Sequence, residues 1–145
     1  GGATTIASLY AGPEVAFAVA DCAFADIENV LRKAMSAARI PGFVLDSAMA
    51  MGRLLFGFDL KKARPIDSLK KNEIPILLIH GKEDGFIPPE NSQRMAEATG
   101  GLCEVHLFEG AGHAESVLTD PERYRRYVGA FLGQVIGEDM RPHRK

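Results

Sequence analysis

The segment Ile74-Pro75-Ile76-Leu77-Leu78-Ile79-His80-Gly81-Lys82-Glu83-Asp84-Gly85-Phe86-Ile87-Pro88 constrains the fold of this chain more than any other. Its first half is apolar at nearly every position, so the strand it predicts must be covered on both faces, as in a parallel sheet. A turn carrying an acid follows at once. A helix is predicted over 90–99, introduced by Pro88-Pro89 and ended by Gly100-Gly101. A further strand over 104–108 leads into Gly110-Ala111-Gly112-His113. Strands that alternate with helices call for right-handed crossovers and a parallel sheet. Ligands of such sheets bind beyond the carboxyl ends of the strands. Asp84 and His113 each fall just after a strand, so both reach the same sheet edge.

The rest of the chain reads in the same style. Positions 1–10 suggest a short helix of small residues, closed by Ala11-Gly12-Pro13. The run VAFAVADCAF over 15–24 is a second strand covered on both faces. A helix follows over 26–38, with Ile27, Val30, Leu31 and Ala34 at helical spacing, and Pro41-Gly42 breaks it. Positions 43–56 form another apolar helix containing Met49, Met51 and Leu55, and Arg64-Pro65-Ile66-Asp67-Ser68 is a connector. The last helix, over 121–136, has Asp120 as N-cap and Pro121 at its first position. Its apolar face is Tyr124, Tyr127, Val128, Phe131, Leu132 and Val135.

Bulk properties exclude several classes. The 145 residues suit one domain, and a net charge of −2 offers no basic face for nucleic acid. The short basic tail Arg141-Pro142-His143-Arg144-Lys145 reads as a solvated terminus. Two cysteines, Cys22 and Cys103, make no disulfide framework and read as small buried hydrophobes. They favour a reducing, cytoplasmic compartment, with an upstream signal or anchor still compatible. No apolar run approaches the roughly 18 residues of a transmembrane span. No pair among the histidines has metal-ligand spacing, so no metal is expected.

Asp84 precedes His113 by 29 positions, room for one helix and one strand. A hydroxyl nucleophile needs a base within reach, and the base needs an acid to fix its tautomer. Glu83 is the neighbouring alternative acid. His80 ends a buried strand and reads as structural or as the edge of a site, and His106 reads as packed. Ser8, Ser47 and Ser116 lack the sharp turn of an activated nucleophile, and Ser116 reads as opening a helical turn.

The local sequences resemble the α/β-hydrolase superfamily. His80-Gly81-Lys82-Glu83-Asp84-Gly85-Phe86-Ile87-Pro88 is similar to its HGxxDxxVP acid turn, which implies Asp84 as acid. Gly110-Ala111-Gly112-His113 is similar to its GxGH turn, which implies His113 as base. Gly1-Gly2-Ala3 resembles the tail of the nucleophile elbow G-x-S-x-G-G-A, although appended glycines would read alike. The run around Ala20-Asp21-Cys22-Ala23-Phe24 is similar to serine hydrolases of the prolyl-oligopeptidase-like esterase and peptidase type.

The resemblance implies the C-terminal portion of an α/β-hydrolase parallel sheet: about three strands flanked by helices, as one partial domain over 1–145. Positions 26–63 are long for a crossover. They form either a helical lid over an acyl pocket or an ordinary crossover whose apolar stripe faces the core. Phe86, Ile87, Met49 and Phe56 are the candidate pocket residues, and no cofactor is implied. The implied serine lies two positions before Gly1, so residues 1–145 alone are expected to be inactive. An open sheet edge is expected to pair with the missing half or with a second copy. The implied reaction is hydrolysis of an ester, or of a peptide or amide. An aspartate nucleophile would imply dehalogenase or epoxide-hydrolase chemistry, and a cysteine the dienelactone-hydrolase type. A non-catalytic α/β module binding through its open edge is the reading from a different class.

Overall fold

The computed structural model describes residues 1–9, 15–57 and 59–139. The turn expected at 11–13 and the basic tail lie outside them. Three parallel strands form the sheet in the order β1 (Ala18–Asp21), β2 (Ile76–Gly81), β3 (Cys103–Phe108). The central strand is buried at every position, as its unbroken apolar run requires. β1 is shorter than the apolar run over 15–24. It pairs along four residues, from Ala18 opposite Ile76 to Asp21 opposite Ile79.

Alternation along β2 divides the core into two layers. Ile76 and Leu78 face Ile6 of the first helix, α1 (Gly2–Ala7), together with Leu69 and Met95. Leu77 and Ile79 face Phe108, Phe131 and Val135 on the other side. Burying each aliphatic side chain on β2 contributes about 1.5–3 kcal/mol. Two helices cover the sheet as the periodicity predicts: α4 (Glu90–Ala98), through Met95, and α6 (Pro121–Asp139). Asp120 caps α6 by accepting the Arg123 N–H at 2.9 Å.

Between β1 and β2 lie α2 (Ile27–Ala37), α3 (Gly42–Phe56) and two 3-10 turns, Leu60–Lys62 and Pro65–Leu69. Asp26 caps α2 through the Asn29 N–H. Of the α2 stripe, Val30 alone is fully buried and Ala34 is exposed, so the helix packs on a narrower face than its spacing predicts. The insert is pinched shut at its base. Ile27 N–H donates to Ala63, Ile66 N–H donates to Ala25, and Arg64 pairs with Asp26 at 3.3 Å. On α3 only Leu45 is buried, while Leu54, Leu55, Phe56 and Phe43 are largely exposed. Its apolar stripe therefore does not face the core as a crossover helix would.

Gly2 and Gly81 stand where backbones nearly touch. At Gly2 an added Cβ would sit 2.6 Å from the Asp21 carbonyl oxygen, whereas Gly1 meets nothing. At Gly81 it would lie 2.3 Å from the Gly112 carbonyl oxygen and 2.4 Å from that of Ala111, because the end of β2 runs directly beneath the histidine turn. Both obstacles are backbone, so Gly81→Ala should destabilise the fold by about 2 kcal/mol or more. At Gly85 nothing lies within 4 Å, so Gly85→Ala should stay within about 0.5 kcal/mol of the parent. Urea midpoints of the two variants check the contrast.

Candidate active site

The turns after β2 and β3 bring Asp84 and His113 together. The acid turn is short and self-bonded. Asp84 Oδ1 accepts the backbone N–H groups of Phe86 at 2.9 Å and Ile87 at 2.8 Å. Asp84 Oδ2 is thereby aimed at His113 and accepts from its Nδ1 at 2.7 Å. The Asp84 side chain has no exposed surface, whereas His113 is 41% exposed. Burial acts on the Asp84 carboxyl most strongly and raises its pKa. The Ile87 N–H, the His113 hydrogen bond and the Phe86 N–H together outweigh burial, and the net shift is downward. With Nδ1–H given to the carboxylate, His113 keeps Nε2 as an acceptor on its exposed side. Glu83, the alternative acid, is exposed and contributes its backbone N–H to the Ala111 carbonyl instead.

His80 lies behind the pair with no exposed surface. Its Nδ1 is 2.7 Å from Ser92 Oγ, its Nε2 is 2.8 Å from the Ile87 carbonyl oxygen, and Nε2 is 3.3 Å from Asp84 Oδ2. The carbonyl can only accept, so Nε2 carries a proton and braces the Asp84 turn from within. Its link to the first turn of α4 through Ser92 was not readable from spacing, since serine there signals only a helix start. Asn91 makes a similar link, accepting the Ala25 N–H at 3.1 Å and donating to the Pro88 carbonyl at 2.8 Å. His106 is packed: its ring stacks on Tyr127 at 3.7 Å between centroids, and Nε2 meets Glu104.

The end of β1 is the part of the site that the sequence did not disclose. Cys22 Sγ accepts the Ala114 N–H at 3.2 Å. Cys22 and Ala114 have φ of 49° and 59°, left-handed values that cost a non-glycine residue about 1–2 kcal/mol each. Burial, with smaller opposing hydrogen bonds, pushes the Cys22 thiol up to about 12, so it stays protonated. Next to it, Asp21 Oδ1 lies 3.5 Å from Oγ of Ser116, which is fully buried. Ser116 opens the short helix α5 (Ser116–Thr119), as its position after the histidine turn suggested. Burial and the adjacent Asp21 raise the Tyr124 hydroxyl pKa.

Cys22, Asp84 and His113 offer ligand atoms within 4.8 Å of one another. That donor set suits hydrogen bonding better than an ion. Asp84 and His113 are already committed to each other, and Cys22 Sγ to the Ala114 N–H. Phe86 packs edge-on against the His113 ring at 5.3 Å and is 62% exposed, so it borders the site. Ile87 is buried and supports the acid turn from beneath. Met49 lines a separate groove with Asp46, Arg53 and Leu54, whose walls include neither Asp84 nor His113. Phe56 is 81% exposed at the end of α3.

The sequence pattern of the dienelactone hydrolase family matches residues 22–128, well over half the chain. The uncharacterized protein YqkD of Bacillus subtilis is 33% identical over 140 residues, a span of 92% of this chain and 46% of YqkD. The chain thus spans less than half the length of that relative. The esterase PF2001 of Pyrococcus furiosus superposes with a TM-score of 0.65 at 22% identity, over 92% of this chain and 50% of that one. The α/β hydrolase MGS-MChE2, from a lagoon-sediment metagenome, gives 0.63 at 19% identity over 92% and 57%. At such identities the likeness is one of fold.

A carboxyl held below its ordinary pKa adds stability that is complete above the unfolded value, near 4, and is lost as pH falls through the folded value. Asp84→Asn should therefore lower stability at neutral pH. The gap between parent and variant should narrow below about pH 4. Urea midpoints across pH 2–7 test this, and a gap independent of pH would contradict it.

Proposed function

Because the chain belongs to the dienelactone hydrolase family and has the α/β-hydrolase fold, we propose that residues 1–145 carry the acid and the base of a hydrolase. The nucleophile comes from a segment joined to them. The observation that carries this reading is the 2.7 Å bond from His113 Nδ1–H to the buried Asp84 carboxylate, with Nε2 left as the outward acceptor. Nε2 takes the proton of the attacking group, and Asp84 stabilises the imidazolium that forms. His113 then returns the proton to the leaving group as the acyl group passes to the nucleophile. Water, deprotonated by the same Nε2, cleaves that acyl bond and frees the nucleophile.

The nucleophile of this reading is a serine acting on an ester, or secondarily on a peptide or amide. Gly2 supports an elbow at the head of α1, since only a residue without Cβ fits against the Asp21 carbonyl. The family match favours a second nucleophile as well, a cysteine used with the same acid and base. Among the described residues β1 has a strand neighbour on one side only. In this reading the segment that brings the nucleophile pairs along its free edge.

Residues 1–145 alone should show no hydrolysis of p-nitrophenyl acetate that depends on His113. In a polypeptide that joins them to the nucleophile, His113→Ala or Asp84→Asn should each lower kcat by about 10³–10⁴-fold. Turnover that survives both substitutions would refute the assignment. Labelling of the joined polypeptide by a fluorophosphonate identifies serine, and labelling by iodoacetamide at the same position identifies cysteine.

A further inference from the structure

We infer that Cys22 is a positioning residue for His113, holding the base through the Ala114 N–H. The inference rests on the reading of Asp84 and His113 as acid and base. Cys22 occupies the first position after β1, where its backbone N–H is fixed by the Ile79 carbonyl at 2.9 Å. From that anchor its left-handed backbone presents Sγ to Ala114, the residue directly after the base. The peptide plane between residues 113 and 114 sets the backbone from which the imidazole projects. Fixing its N–H fixes the direction in which His113 leaves the chain.

Ala114 is itself left-handed, a backbone that reverts to ordinary values unless its surroundings hold it. The contacts form a closed circuit. Ile79 of β2 holds Cys22, Cys22 holds Ala114, His113 meets Asp84, and Asp84 sits three residues beyond the end of β2. Asp21 makes a second contact from the same strand end, 3.5 Å from Ser116 on the far side of the histidine turn. A thiol that only filled space would not need to bond the residue beside the base.

Imidazole proton–nitrogen NMR of the polypeptide that joins residues 1–145 to the nucleophile tests this by following the His113 Nδ1–H, with Cys22→Ala and Cys22→Ser as variants. The parent should show a slowly exchanging Nδ1–H bonded to a carboxylate, which Asp84→Asn abolishes. Cys22→Ala should broaden or shift that signal. Cys22→Ser, whose hydroxyl oxygen accepts the same N–H, should restore it. A Cys22→Ala spectrum that matches the parent at His113 overturns the inference and leaves the acid–base reading standing. Absence of the signal from the parent overturns that reading, and the inference with it. If Cys22→Ala does not fold, hydrogen exchange in the parent decides: the Ala114 amide should exchange at least about tenfold more slowly than an open amide. Exchange at the open rate overturns the inference.

Discussion

A carboxylate with no exposed surface stays ionised only if its neighbours replace the water it has lost, and Asp84 is in that position. Two backbone N–H groups from its own turn meet one oxygen, and the His113 Nδ1–H meets the other. Each partner imposes a demand on the fold. The backbone donors require the turn to close within three residues of the acid. The histidine requires the turn after β3 to lie over the end of β2. That contact brings backbone so close to Gly81 that no side chain fits there. The apolar run of β2 and the glycine that ends it are two aspects of one requirement: a rigid strand delivering an acid to a fixed point.

The neighbours of that point come from all three strands, which explains why the sheet order matters to the chemistry. β2 leads into the turn of Asp84 and, through His80, braces it from within. β3 leads into the turn that carries His113. The end of β1 bonds Ala114 and approaches Ser116. Parallel strands make this possible because all three end at the same edge. Polar anchors behind the partly exposed His113 ring leave its front open, while its backbone is held from the rear.

Much of this was legible in the sequence because it is local. The covering of β2, the helix starts at Pro89 and Asp120 and the apolar face of α6 follow from spacing and capping alone. Asp84 and His113 were legible because glycines flank them in turns that follow apolar strands. The bonds between turns were not. Ala25 to Asn91, His80 to Ser92 and Cys22 to Ala114 join residues 66, 12 and 92 positions apart, and no periodicity records such a pairing. Cys22 is the sharpest case. In the sequence its apolar surroundings make it one more small buried residue, and burial does hold. Its positive φ, which lets the thiol meet the histidine turn, leaves no mark on composition.

The insert between β1 and β2 is the part of the chain whose role spacing leaves open. An apolar stripe on α3 suits either a crossover helix against the sheet or a cover over something else. Within residues 1–145, Leu54, Leu55 and Phe56 are exposed rather than packed on the sheet. The insert leaves and rejoins the domain through one pinch, formed by Ile27 with Ala63, Ile66 with Ala25 and Asp26 with Arg64. Its internal helices are therefore free of the packing that fixes the sheet. Asp84 and His113 stand on turns from the other two strands. Changes of shape or polarity along α3 would leave the 2.7 Å acid–base contact intact.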